Sequence, residues 1–136
     1  MRMTHRLRDD AGESSILVLL LVPVVLLIAY GLSVDWAGKV RASEEAVTIA
    51  LQAARSGANA GIDSAAGEGE GVQLNRAEAR RAAQAFLSQS GATGTVTVTN
   101  TQVIVDAAVD YTPKFIPVGT LSGEGTGTSE IHQNTN

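Results

Sequence analysis

Cysteine is absent from this 136-residue chain, and histidine nearly so. Without cysteine there is no disulfide framework, no thiol nucleophile and no cysteine-ligated metal. The two histidines, His5 and His132, lie near opposite ends of the sequence. Neither is placed to act as the base of a Ser-His-Asp hydrolase. Aromatics are scarce too: Tyr30, Trp36, Phe86, Tyr111 and Phe115 are all there are. A core must therefore be built from Ala, Val, Leu and Ile, which makes it thin and suited to sharing with a neighbour. A Lys/Arg stripe is also missing. The net charge of −4 divides into three Arg against three acids up to Glu13, and seven basic against eleven acidic residues from Asp35 onward. That balance excludes the electrostatics on which nucleic-acid binding rests.

Acids are present, but not in catalytic arrangements. Glu44 and Glu45 are adjacent and diverge on a helix, while Asp106 and Asp110 share a strand face about 13 Å apart. Asp63, Glu68 and Glu70 lack the register of an EF-hand loop. The GEGEG stretch at 67–71 has no strand before it, and its acids would repel phosphate. No catalytic residue, cofactor site, metal site or small-molecule substrate is expected, and the chain reads as non-enzymatic.

What the chain does have is a long apolar run. No residue between Glu13 and Asp35 is charged, and residues 16–34 read ILVLLLVPVVLLIAYGLSV. As a helix this run is about 28 Å long, enough to cross the hydrocarbon core of a bilayer. Pro23 is tolerated in such a helix, and Tyr30 and Trp36 sit where an interfacial aromatic belt would place them. The rival reading is a cleavable secretory signal, with Arg2, Arg6 and Arg8 before the run and small residues such as Ala29 and Gly31 near its end. The run is longer than a signal core, and helical periodicity continues past it, which favours a single-pass anchor. Residues 1–15 then form a basic tail and 16–34 the transmembrane helix. The tail's three Arg against Lys39 and Arg41 on the other flank favour a cytoplasmic N-terminus in the plasma membrane, with 35–136 extracytoplasmic.

The remainder predicts an α+β domain. Trp36, Val40, Val47, Leu51, Ala54 and Ala58 recur at helical spacing, extending the membrane helix over 35–60 into a rod about 70 Å long, ended by Gly57 and Gly61. Residues 61–74 read as a flexible Gly/Glu loop. Asn75 caps a second, amphipathic helix over 75–90, with Glu78 three residues on and a Gly91 stop. Its face of Ala79, Ala82, Ala83, Phe86 and Leu87 is suited to the small residues of the first helix. The period then changes to two, predicting a β-hairpin over 95–112 that turns at Asn100 and Thr101. In the closing segment, 113–136, Phe115 and Ile116 offer a further apolar contact, and Gly119 to Ile131 reads either as a weak third strand of a small antiparallel sheet or as a mobile tail.

Glu13, directly after Gly12 at the lip of the apolar run, reads as an interfacial carboxylate marking where the helix leaves lipid. Taken together, these segments resemble the TadE/TadG-like proteins of tight-adherence (Flp-type) pilus assembly. The resemblance rests on RDDAG at 8–12, Pro23 eleven residues after Gly12, VDWAGKVRASEEAVTIALQAARSGA at 34–58, and VDYTPKFIPVG at 109–119. It implies a pilin-like fold and a pseudopilin or minor-pilin-like structural subunit. Its partners would be the lipid bilayer and, through helix packing, other pilin-like or pilus-assembly membrane proteins. TadE-type members carry Glu five residues after the Gly at which a prepilin peptidase cuts. Leu17 holds that position here, and the nearest acid is Glu13, so Gly12 and Glu13 form the candidate processing site. Glu13 would then pair with a neighbouring subunit's amine. The alternative function is an independent, membrane-tethered extracytoplasmic binding module.

Overall fold

The computed structural model describes residues 10–68 and 74–131. The order of elements is α1 (Asp10–Glu68), α2 (Arg76–Gln89), β1 (Thr93–Val98), β2 (Gln102–Tyr111) and β3 (Leu121–Glu130). The fold is α+β, with one long apolar N-terminal helix, a second helix and a three-stranded antiparallel sheet in the order β1-β2-β3.

α1 is continuous over 59 residues, Pro23 included. It is longer at both ends than the sequence suggests. It starts at Asp10, inside the expected tail, and it passes through Gly57 and Gly61, the expected stops. Those glycines serve close packing instead. A Cβ at Gly57 would lie 2.7 Å from the Ala79 carbonyl oxygen, and one at Gly61 2.6 Å from Leu74 Cδ1. Of the expected 61–74 loop, residues 61–68 are therefore helix, and 69–73 lie outside the described residues.

The inward face of α1 is only partly the expected one, since Ala54 and Ala58 turn inward and the larger residues do not. Trp36 is 71% exposed and Val40 and Val47 point outward, while Ala42, Ala46, Ala50, Ala53, Ala54 and Ala58 are buried. The large apolar residues face away because the partners on the other side come too close to leave room for them. A stripe of small residues, Gly31, Gly38, Ala42, Ala46, Ala50, Ala53, Gly57, Gly61 and Ala65, follows one face at intervals of three, four or seven.

α2 follows the sequence closely. Asn75 Oδ1 accepts the Glu78 N–H at 3.3 Å. At the other end Ala92 N–H reaches Leu87 O at 3.2 Å and Gly91 N–H reaches Ser88 O at 3.3 Å, with Gly91 at φ 71°. This is a Schellman stop, and its glycine supplies the left-handed residue the motif needs. Ala79, Ala83 and Leu87 are buried against α1 and the sheet.

The hairpin turns at Asn100–Thr101, with Thr99 N–H donating to Gln102 O at 2.9 Å. Val96 pairs with Val105 and Val98 with Val103, so the inner face of β1 and β2 is valine-rich. The closing segment supplies a full third strand, and the mobile alternative falls away. β3 pairs along its whole length with β2, setting Gly123, Gly125 and Gly127 opposite Val109, Ala107 and Val105. On the outer face the Thr126 hydroxyl donates to Asp106 Oδ1 at 2.7 Å, and Gln102 bonds Glu130.

Candidate functional site

The place where the chain concentrates its polar chemistry is the junction between the apolar run and the domain. Asp35 is the first charged residue after the run, and it is 4% exposed. It stands four residues after Gly31 and three before Gly38, so all three share one face of α1. Against that face the chain leaves β2 at Tyr111 and descends through residues 112–116. Tyr111 covers Gly38, and Phe115 covers Gly31, where a Cβ would lie 3.1 Å from Phe115 Cβ. Glycine at both positions lets the descending chain touch the helix.

Asp35 holds that descent in place. Its Oδ1 accepts the Lys114 N–H at 2.8 Å and the Tyr111 hydroxyl at 3.2 Å. Its Oδ2 accepts the Phe115 N–H at 3.0 Å and the Ile116 N–H at 2.7 Å. Burial alone would push the carboxyl up. The Lys114, Ile116 and Phe115 amides and the Tyr111 hydroxyl outweigh it and hold the group below its ordinary 3.8. Tyr111 is shifted the other way, raised above 10.0 by burial and then by its bond to the Asp35 charge. Four donors around one ionised carboxylate form a structural clamp. Its lone pairs are committed to these donors, and the open groove it borders is otherwise walled mainly by Leu32, Trp36, Pro113, Ile116 and Leu121.

Further up, β3 runs in the same direction as α1 and lies almost on its backbone. A Cβ at Gly123 would be 2.8 Å from Ala42 Cβ, one at Gly125 2.6 Å from Ala46 C, and one at Gly127 2.6 Å from the Ala50 carbonyl oxygen. The match is metric: two residues of strand rise about 6.7 Å and four of helix about 6 Å, so alternate glycines meet every fourth residue of the helix.

Gly12 and Glu13 lie in the first turn of α1, and their side chains are outside the described residues, as are His5 and His132. Asp106 and Asp110 are both exposed on the sheet. Among the described residues no three His, Cys, Asp or Glu side chains come together as metal ligands would. Asp35 carries no motif, and sequence reasoning used it only as the end of the apolar run. The available signal was a lone carboxylate flanked by glycines at helical spacing. No protein-family model, curated protein or solved structure matches the chain.

α1 is the one helix among the described residues long and apolar enough to cross a membrane. Its run from Ile16 to Ile28 is exposed throughout, with Leu19 at 76% and Leu27 at 70%. The core helix of a water-soluble domain would be covered by its own chain. This one is bare, as a lipid-facing helix is before lipid is added.

Proposed function

We propose that the protein is a membrane-anchored structural subunit of a tight-adherence type pilus assembly or secretion apparatus, pseudopilin-like, as its resemblance to the TadE/TadG-like proteins implies. In this reading residues 16–34 cross the plasma membrane with the N-terminus cytoplasmic, the domain stands outside, and the role is non-enzymatic. One observation carries the proposal. A single unbroken helix is bare over its apolar half and clad by a sheet and a second helix over its other half, the division of labour expected of a subunit that anchors and assembles through one rod. The continuity of α1 through Ala29 and Gly31 also favours retention of the apolar half over signal cleavage, since Phe115 is seated on Gly31.

The small face of the rod is occupied by the chain's own sheet, second helix and descending segment. Packing with neighbouring pilin-like helices therefore falls to the apolar half and to the outward residues Val40 and Val47. Membrane fractionation followed by intact-mass analysis tests the anchor. A membrane-bound mass beginning at Met1 supports a plain anchor, one beginning at Glu13 supports prepilin-type processing, and a soluble product beginning beyond Gly31 refutes both. Deleting the gene tests the apparatus, because surface fibres unchanged in number and length contradict a role in assembly.

A further inference from the structure

The descending segment 113–118 has two properties that belong together. Apart from Lys114 its side chains are apolar, and most are uncovered: Phe115 is 57% exposed, Val118 48%, Pro117 is exposed and Ile116 half-buried, while Pro113 is buried. Beside them Leu32, Trp36, Pro113, Ile116 and Leu121 border one open groove, whose lining also includes Ser33, Asp35 and Lys39. Its backbone, by contrast, offers water no free donor. Pro113 and Pro117 have no N–H. The amides of Lys114, Phe115 and Ile116 are bonded to Asp35, and Val118 N–H reaches Ile116 O at 2.8 Å. Every N–H from 113 to 118 is thus absent or satisfied within the chain.

An ordinary surface loop leaves such groups to water, and irregular backbone enters hydrocarbon only with its N–H and C=O groups paired. With its donors paired and its carbonyls, Ile116 apart, still open to water, this segment suits the hydrated headgroup level. The depth of the segment agrees. Phe115 packs edge-on against Tyr30, with ring centroids 6.4 Å apart, and lies over Gly31. Those residues sit three and four positions before Val34, so Phe115 reaches roughly 5–6 Å below the end of the apolar run by helix rise. That is the depth at which interfacial segments rest, and Lys39 and Lys114 are long enough to return their charges to the headgroups.

We propose that residues 113–118 form a second membrane contact, a loop seated in the headgroup–acyl boundary, with Asp35 as the internal clamp that makes its backbone tolerable there. The occupant of this surface is the bilayer. The inference rests on residues 16–34 being the membrane span, and the test separates the two claims.

Trp36 is the only tryptophan, so Trp36→Phe gives a silent background for the full chain in phospholipid vesicles. Into it go Phe115→Trp, Val118→Trp, Leu26→Trp in the span, and Asn100→Trp at the hairpin tip. β2 separates that tip from Tyr111 by about 30 Å of strand. The readout is quenching by lipids brominated near the headgroup end of the acyl chain for the loop and tip positions, and deep in the chain for Leu26→Trp. The expected result is several-fold stronger quenching for Phe115→Trp and Val118→Trp than for Asn100→Trp. Quenching of both no stronger than Asn100→Trp, with Leu26→Trp quenched, overturns the loop insertion and leaves the span intact. Blue-shifted but unquenched emission at 115 and 118 means that protein covers the loop, which also overturns it. An unquenched Leu26→Trp removes the span and the loop contact together. Two independent loop positions guard against one substitution disturbing the fold.

Discussion

Replacing Gly125 by alanine interrogates the contact between β3 and α1. The added Cβ would stand 2.6 Å from both Ala46 C and Val47 Cα, and closer still to the Val47 amide nitrogen. Ordinary contact begins at 3.4 Å, so the strand must retreat by at least about 0.8 Å, and further to clear the Val47 nitrogen. All three obstacles are helix backbone, and no rotamer change relieves them. A gap of that size forfeits roughly a quarter to a half of the attraction across neighbouring contacts. Overpacking of this kind costs about 1–3 kcal/mol. Alanine also restricts the unfolded chain, which stabilises by about 0.4–1 kcal/mol at an unstrained site. With backbone as the obstacle the clash wins, leaving a net loss of about 1–2 kcal/mol, on the order of 5–10 °C in Tm for a domain of this size. The assay is thermal unfolding of the full chain in nanodiscs, followed by near-ultraviolet circular dichroism, which senses the aromatic residues of the domain. Gly119→Ala is the control, because a Cβ there meets nothing within 4 Å. It should stay within about 0.5 kcal/mol of the parent. An unchanged Tm for Gly125→Ala, or an equal drop for both, refutes the close seam.

Asp35→Asn replaces an acceptor of four hydrogen bonds with an amide whose NH2 faces the same backbone donors, so residues 112–118 should detach; faster tryptic cleavage after Lys114 in the folded protein is the expected reading, with Tyr111→Phe giving a smaller increase. Because the folded Asp35 carboxyl lies below its ordinary 3.8, the clamp's stabilisation is fully present above that pH and is lost as pH falls further through the lowered folded value. An acid titration of Tyr111 dichroism should show this step in the parent and not in Asp35→Asn. A chain beginning at Gly61 lacks the buried Ala42–Ala58 stripe and should remain unfolded by amide-proton dispersion. A chain beginning at Val34 keeps every buried side chain from Asp35 onward and should fold, losing only the Tyr30 and Gly31 seat of Phe115.

The elements with local signals were legible in the sequence. Asn75 and Gly91 bound α2 as expected because capping is chemistry within a few residues. The hairpin followed from alternation around Asn100–Thr101 for the same reason. What escaped, or in the case of the third strand stayed one of two alternatives, were features defined by partners distant in sequence. Leu121–Glu130 carries little β propensity, since three of its ten residues are glycines, and only the proximity of α1 explains why glycine is wanted there. The inward face of α1 was partly misassigned because a periodicity argument ranks residues by size and hydropathy. Here alanine and glycine won the interior on space alone. Asp35 likewise looked like the end of an apolar run until the chain from 111 to 116 was seen to return to it.

An interior of this kind raises the question of what makes the domain cohere. Each buried alanine contributes little more than a methyl group, well below the 1.5–3 kcal/mol of a buried leucine. Close backbone approach makes up part of the difference through dispersion, but only if the helix is straight and already formed when the sheet arrives. Starting a helix is the costly step, whereas extending one is cheap, and alanine extends it best. Under the proposed anchoring, a helix set in the bilayer by its apolar half would emerge already nucleated, so that residues 35–68 need only propagate. In the proposed arrangement, anchor and domain share one helix for a physical reason: the half in lipid hands the glycine strand and alanine face a preformed template, so its removal slows assembly of the domain without abolishing the fold.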